Sequence, residues 1–177
     1  MQSDKVRDLT KMAMCVALCC VTAYISFPLP FTPGLVTALT FSLSLTAYIL
    51  PPRQTFTVIL IYILLGAVGL PVFAGGQGLS RLLGPAGGFY FAWLFAYSLL
   101  SLFKGETPSF KRYAAANILI AVPITYLGGL ISMILVLDVN LFEAMTMAVF
   151  PFIPGDILKA LAAAFLGVKL QKVLGGQ

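Results

Sequence analysis

The 177-residue chain contains no histidine, and only 10% of it is charged. Without imidazole, the commonest general base at neutral pH and the commonest metal ligand are both missing. The six acidic residues are scattered, so no carboxylate cluster suggests a metal centre. No G-x-x-x-x-G-K-[ST] run is present to cradle a nucleotide's phosphates. The three cysteines, Cys15, Cys19 and Cys20, fall in one apolar run at helical spacing. They are expected to pack as small hydrophobes and not to ligate metal or form a disulfide. What is abundant is apolar: 60% of the chain is hydrophobic, with a mean hydropathy of +1.00. A soluble fold of this length needs a largely polar surface and cannot hide so much. The expected solvent is lipid.

Stretches free of Asp, Glu, Lys and Arg run from Met12 to Pro52, Gln54 to Ser80, Leu82 to Phe103 and Tyr113 to Leu137. A bilayer core takes roughly 20 apolar helical residues. Pro and Gly breaks then divide the chain into Leu9–Ser26, Leu35–Leu50, Thr55–Leu70, Ala86–Phe103, Tyr113–Leu137 and Pro154–Leu170. The expected fold is all-α: a polytopic bundle of six transmembrane helices, forming one domain over residues 1–177, with both termini cytoplasmic. In that orientation Lys5, Arg7, Lys11, Arg53, Lys104, Lys111, Arg112, Lys169 and Lys172 lie inside, nine of the eleven basic residues, as the positive-inside rule requires. Lys5, Arg7 and Lys11 before the first apolar run also fit a signal peptide, but no small-residue cleavage site follows. The net charge of +5 reports topology, and no nucleic-acid partner is implied. Asp4, Asp8 and Glu106 fall inside; Asp138, Glu143 and Asp156 fall outside. Asn140 to Val149 reads as a short interfacial helix or a plain loop.

Two segments carry the polar chemistry. The first is Leu70-Pro71-Val72-Phe73-Ala74-Gly75-Gly76-Gln77-Gly78, followed by Arg81 and Gly84-Pro85-Ala86-Gly87-Gly88. Such backbone does not stay helical, and non-helical backbone at membrane depth is tolerated only against protein or a cavity. The expectation is a Gly-rich outer loop folded over a ligand cavity. Arg81 is the only charge between Gln54 and Phe103; it either snorkels to the interface or clamps a ligand carboxylate. The second segment is Ile153-Pro154-Gly155-Asp156-Ile157-Leu158-Lys159. Pro-Gly-Asp is a helix-start signal that leaves Asp156 free to cap the first turn. Lys159 shares its face at i, i+3, and a charge this deep needs a partner. The pair either neutralises itself or offers a donor and an acceptor to a polar ligand. Ala13 and Ala17 on the first helix form a small-xxx-small pair suited to close approach by another helix.

Gly69 to Gly76, Gly84 to Gly88, Phe152 to Lys159, and Phe27-Pro28-Leu29-Pro30-Phe31-Thr32-Pro33 occur in an order that resembles the BioY family of biotin transporters along nearly the whole chain. The resemblance implies the substrate-binding component of an energy-coupling-factor transporter, with biotin as the transported ligand. Its partners would be a transmembrane coupling protein, contacted through Ala13 and Ala17, and two ATPase subunits that use the ATP. This chain itself would hold no cofactor. By position, Asp156 and Lys159 would bind the ureido ring, and Arg81 would meet the carboxylate from the covering loop that also holds Gly75 and Gln77. Tyr126, in Tyr126-Leu127-Gly128, would add an aromatic contact. The chain departs from the family where relatives show Val-Pro-Ile-Thr-Leu-Gln and it has Gly34-Leu35-Val36-Thr37-Ala38-Leu39, and where Ala86 replaces a Thr. Both departures remove polar groups near the expected site, which keeps open another small vitamin or a precursor such as dethiobiotin as cargo. An intramembrane enzyme using Asp156 and Lys159 as acid and base is the alternative of another class. Residence in the cell membrane, crossing it several times, follows from the expected spans.

Overall fold

The computed structural model describes residues 2–30 and 32–175; Phe31 of the Phe27–Pro33 motif and the side chain of Asp4 lie outside the described residues. The helices are α1 (Gln2–Ala23), α2 (Leu39–Ile49), α3 (Pro52–Ala67), α4 (Leu79–Leu83), α5 (Gly87–Phe103), α6 (Phe110–Ala116), α7 (Val122–Leu137), α8 (Leu141–Ala148) and α9 (Ile153–Gly175). A π-helical turn, Asn117–Ala121, joins α6 to α7, giving one continuous helix of 28 residues. The all-α expectation is corrected by a small antiparallel hairpin, β1 (Ser26–Pro28) and β2 (Leu35–Thr37), in register Phe27 to Val36. Pro28, Pro30 and Pro33 bar a helix there, while Val36 and Thr37 favour extended backbone. The first helix therefore ends at Ala23 and the second starts at Leu39. The Gly-rich loop also contains a helix, α4, and near Asn140, where either a short interfacial helix or a plain loop was open, a helix forms, α8, opened by an Asn140–Glu143 capping box.

Among the described residues, Phe110–Leu137 alone is long and apolar enough to cross a bilayer unaided. The bent pair α8 and α9, meeting at 47°, makes a second such unit, and α2, α3 and α5 are apolar but shorter. The outward faces are nonetheless apolar: Leu64, Phe95, Leu119, Leu127, Leu135 and Phe165 are each more than half exposed. A surface of this kind is suited to lipid and not to water, as in a membrane protein.

Helix α2 is the hub, packed by α1, α5 and α9 and buried throughout Ser42–Tyr48. That enclosure lets it carry hydroxyls, which bond back along the helix, Ser44 to the Thr40 carbonyl at 2.8 Å and Thr46 to that of Ser42 at 2.9 Å. Its last turn is followed by Pro51 and Pro52, which lack the N–H groups that the carbonyls of Ala47 and Tyr48 would accept four residues on. Lys104, just beyond α5, supplies them: its Nζ donates to Ala47 and Tyr48 at 2.8 Å and to Leu50 at 2.6 Å. Burial pulls the Lys104 pKa down to about 8, and the three carbonyl acceptors oppose it by holding the ammonium form. In Lys104→Leu the Tyr48 carbonyl keeps Gln171 Nε2 and the Leu50 carbonyl keeps Ser101 Oγ, but that of Ala47 loses this donor; the variant is expected to lower stability by about 1–2 kcal/mol, read as a lower melting temperature in detergent.

Three glycine contacts fix the rest. The Phe73 ring of the Gly-rich loop lies on Gly66 of α3, where a Cβ would overlap it. Tyr62 then donates to the Val72 carbonyl at 3.0 Å, and Tyr24 donates to that of Pro71. An aromatic column of Tyr62, Phe73, Tyr90 and Trp93 follows, with successive centroids 5.5, 4.6 and 4.7 Å apart. Helices α5 and α7 touch backbone to backbone: a Cβ at Gly88 would run into the Gly128 carbonyl, and one at Gly129 into the Phe89 ring.

Candidate ligand-binding site

The α5–α7 crossing, the first turn of α9, the start of α2, the hairpin and α4 surround a partly open cavity. Phe89 and Phe152, their centroids 6.4 Å apart, form an apolar wall with Leu35, Leu39 and Tyr90. The cover comes from two loops: the Gly-rich segment contributes Ala74 and, through α4, Arg81, while the hairpin loop contributes Gly34 and is held down by Thr32 donating to the Met147 carbonyl at 2.6 Å.

Asp156 and Lys159 face this space from one turn of α9, their side chains 12% and 20% exposed. They pair at 2.6 Å between Nζ and Oδ1. The other carboxylate oxygen, Oδ2, accepts from Tyr126 at 2.8 Å, and Lys159 also donates to the Thr37 carbonyl of β2 at 3.1 Å. The side chain of Asp156 is thus engaged by Lys159 and Tyr126, while its N–H continues the helix to Phe152. Tyr126 lines the cavity, but its hydroxyl holds the carboxylate in place, a role the sequence reading of it as a plain aromatic contact did not contain.

Five buried side-chain polar atoms lack a hydrogen-bond partner among the described residues. Four of them, Thr40 Oγ1, Arg81 Nε, Trp93 Nε1 and Thr125 Oγ1, belong to residues that line this one cavity. Buried polar groups are otherwise satisfied almost without exception, so their concentration here marks a place that a polar molecule completes. A much smaller chamber adjoins it and shares Thr40, Thr125, Asp156 and Lys159 with it.

Arg81, Asp156, Lys159 and Tyr126, the residues expected from sequence, are therefore brought together. Gly75 and Gln77 are not among the lining residues; Gly75 lies beside the Arg81 guanidinium and Leu35, and Gln77 offers its carbonyl to Ser80 at 3.1 Å. Leu39 and Ala86, where the resemblance implies a departure from the family, do line the cavity. Sequence reading missed Thr40, Trp93 and Thr125. The one signal available was Trp93 itself, the only tryptophan, whose indole N–H in a charge-free helix has no evident partner.

An apolar helical bundle that encloses a cavity lined by an ion pair and unpaired donors defines a membrane protein built around a small polar-headed ligand. The sequence profile of the BioY family matches residues 1–176, and the chain belongs to that family. It is 32% identical to the biotin transporter BioY of Thermotoga maritima, covering 95% of this chain and 98% of that one. To the probable biotin transporter BioY of Pyrococcus horikoshii it is 36% identical, over 94% and 98% of the two chains. The crystal structure of the S-component for biotin from an ECF-type ABC transporter superposes with a TM-score of 0.90 at 24% identity, covering 97% of this chain and 94% of that one. The last likeness establishes the fold.

Proposed function

We propose that this protein captures biotin and takes part in its uptake as the S-component of an ECF-type transporter. The observation that carries the reading is the cavity whose lining holds four unpaired polar atoms beside the Asp156–Lys159 pair. A ligand with a donor-and-acceptor ring at one end and a carboxylate at the other has a use for polar groups of this kind. Asp156 accepts from a ureido N–H, and Lys159 donates its remaining proton to the ureido carbonyl. Arg81, on α4, meets the carboxylate, and Phe89, Tyr90 and Phe152 hold the thioether ring and the aliphatic tail. Gly75 keeps the loop close to Arg81, and Gln77 helps to start α4.

In this reading the helices cross the cell membrane six times, with the cavity outward and both termini cytoplasmic, as the distribution of basic residues supports. The whole chain serves as one substrate-binding domain. Ala13 and Ala17 are both exposed on α1, open to a transmembrane coupling protein that works with two ATPase subunits. The chain makes and breaks no bond; ATP is spent by those partners. A second cargo, dethiobiotin, is favoured by one observation, the apolar lining at Leu39 and Ala86.

Equilibrium binding of labelled biotin to the detergent-purified protein tests the reading, with dethiobiotin as competitor. Arg81→Ala is expected to weaken biotin binding about 30-fold, the equivalent of the ~2 kcal/mol of a charge-assisted hydrogen bond. It should leave the affinity for biotin methyl ester nearly unchanged. A folded wild type that ignores biotin sinks the cargo assignment, and tighter binding of dethiobiotin transfers it to the second cargo.

A further inference from the structure

The Asp156–Lys159 pair leaves part of a ring with two N–H groups and a carbonyl unmet. Each carboxylate oxygen already accepts one bond, Oδ1 from Lys159 and Oδ2 from Tyr126, and keeps room for a ureido N–H, whereas a carbonyl accepts two bonds. Lys159 has spent one donor on Asp156 and one on the Thr37 carbonyl, leaving one of its three. Two further lining groups with capacity to spare are hydroxyls. Among the described residues, Thr40 on α2 and Thr125 on α7 are the only ones besides Asp156 and Lys159 that line both the main cavity and the chamber adjoining it. Arg81 lines the main cavity alone. The side-chain oxygens of both threonines are buried without a hydrogen-bond partner, and Thr125 is only 5% exposed.

A polar network within the bundle ties down the Thr40 backbone. Thr40 offers its carbonyl to Ser44 Oγ at 2.8 Å, and Ser44 Oγ in turn accepts from Asn117 Nδ2 at 2.8 Å. Asn117 stands at the π-helical turn and also donates to the Tyr48 hydroxyl at 3.1 Å. The Tyr97 hydroxyl approaches Ser44 and Thr125, but Thr125 Oγ1 has no partner at hydrogen-bonding geometry. Polar groups this deep in a lipid-soluble bundle are costly unless they are used.

We infer that Thr40 and Thr125 form a hydroxyl floor that binds the polar head of the ligand, a planar cyclic urea, and completes the hydrogen bonds that Asp156 and Lys159 leave open. The inference rests on the biotin reading above. A hydroxyl both donates and accepts, so one floor serves either edge of the ring: it donates to the carbonyl or accepts from an N–H. Because Arg81 is absent from this end, the floor reads the ring and not the tail.

Binding constants of biotin and of biotin methyl ester are measured on the full purified chain for the wild type, Thr125→Val, Thr125→Ser and Thr40→Val. Valine keeps the shape and removes the hydroxyl. Thr125→Val is expected to bind both ligands about tenfold more weakly, the loss of one buried hydrogen bond, by the same factor for each. Thr125→Ser is expected to return within about threefold of the wild type, since it restores the hydroxyl alone. If Thr125→Val melts like the wild type and binds biotin within about twofold of it, the floor is overturned while the cargo reading stands. A loss seen with biotin and absent with the ester overturns it too, since the hydroxyl then serves the carboxylate. Should Thr125→Val fail to fold, Thr40→Val is judged by the same factors. A folded wild type that binds neither ligand overturns the cargo reading and this inference together.

Discussion

Asp156→Asn is expected to weaken biotin binding by about 100-fold or more, or roughly 2.7 kcal/mol. The carboxylate does three things at once in a partly open cavity. It accepts from Tyr126 at 2.8 Å, neutralises Lys159 at 2.6 Å, and in the proposed complex accepts from a ureido N–H. An amide keeps one acceptor oxygen and turns the other position into a donor that faces the Lys159 ammonium or the Tyr126 hydroxyl. The ligand then meets a repelling donor where it needs an acceptor, and Lys159 is left charged in an apolar setting without its counter-ion. Removing one partner of a buried pair costs about 3–5 kcal/mol; at 12% and 20% exposure this pair is partly solvated and the cost in stability is discounted below that. The double variant Asp156→Asn/Lys159→Ala separates the two effects. It carries no orphaned charge, so its melting temperature should recover above that of Asp156→Asn, while its binding stays lost. The cycle is a direct measure of coupling between neighbours. Binding by Asp156→Asn within about fivefold of the wild type would remove the carboxylate from ligand recognition.

This centre was legible in sequence because charge is conspicuous where almost none exists. Asp156 and Lys159 at i, i+3 had to share a helix face, and Arg81 stood alone in a long uncharged stretch. Hydroxyls send no comparable signal. Thr40, Ser42, Ser44 and Thr46 look like ordinary tolerated residues of an apolar helix, and only the burial of α2 on all sides reveals that some are spent and others, such as Thr40, are left without a partner. The helical architecture was legible from the charge-free stretches, but the break from Ser26 to Thr37 was not resolved into a hairpin. Three prolines announce the end of a helix without saying what replaces it. The Lys104 clamp was invisible for a different reason: its logic joins Pro51 and Pro52 to a residue more than fifty positions away, and no local pattern connects them.

The other large effect concerns how the walls meet. Phe89, Tyr90 and Trp93 come from α5, and Thr125 and Tyr126 from α7, and they share one cavity only because these helices touch along Gly88, Gly128 and Gly129. At Gly88 the obstacle to a side chain is the Gly128 carbonyl, which is backbone and has no alternative rotamer. Gly88→Val therefore has to part the helices. In lipid no hydrophobic force draws them back together, because close packing itself drives helix association there. The expected cost is about 3 kcal/mol, or about 6–12 °C in Tm for a chain of this size, with biotin binding lost as the two walls separate. Gly155→Ala is the matched control: it lies one residue from Asp156, yet nothing stands within 4 Å of a Cβ built there. It should leave the melting temperature at or slightly above that of the wild type, since alanine is the better helix former. If Gly88→Val melts within about 2 °C of the wild type and still binds biotin, the backbone contact does not set the spacing of the walls, and the cavity owes its shape to the loops above it.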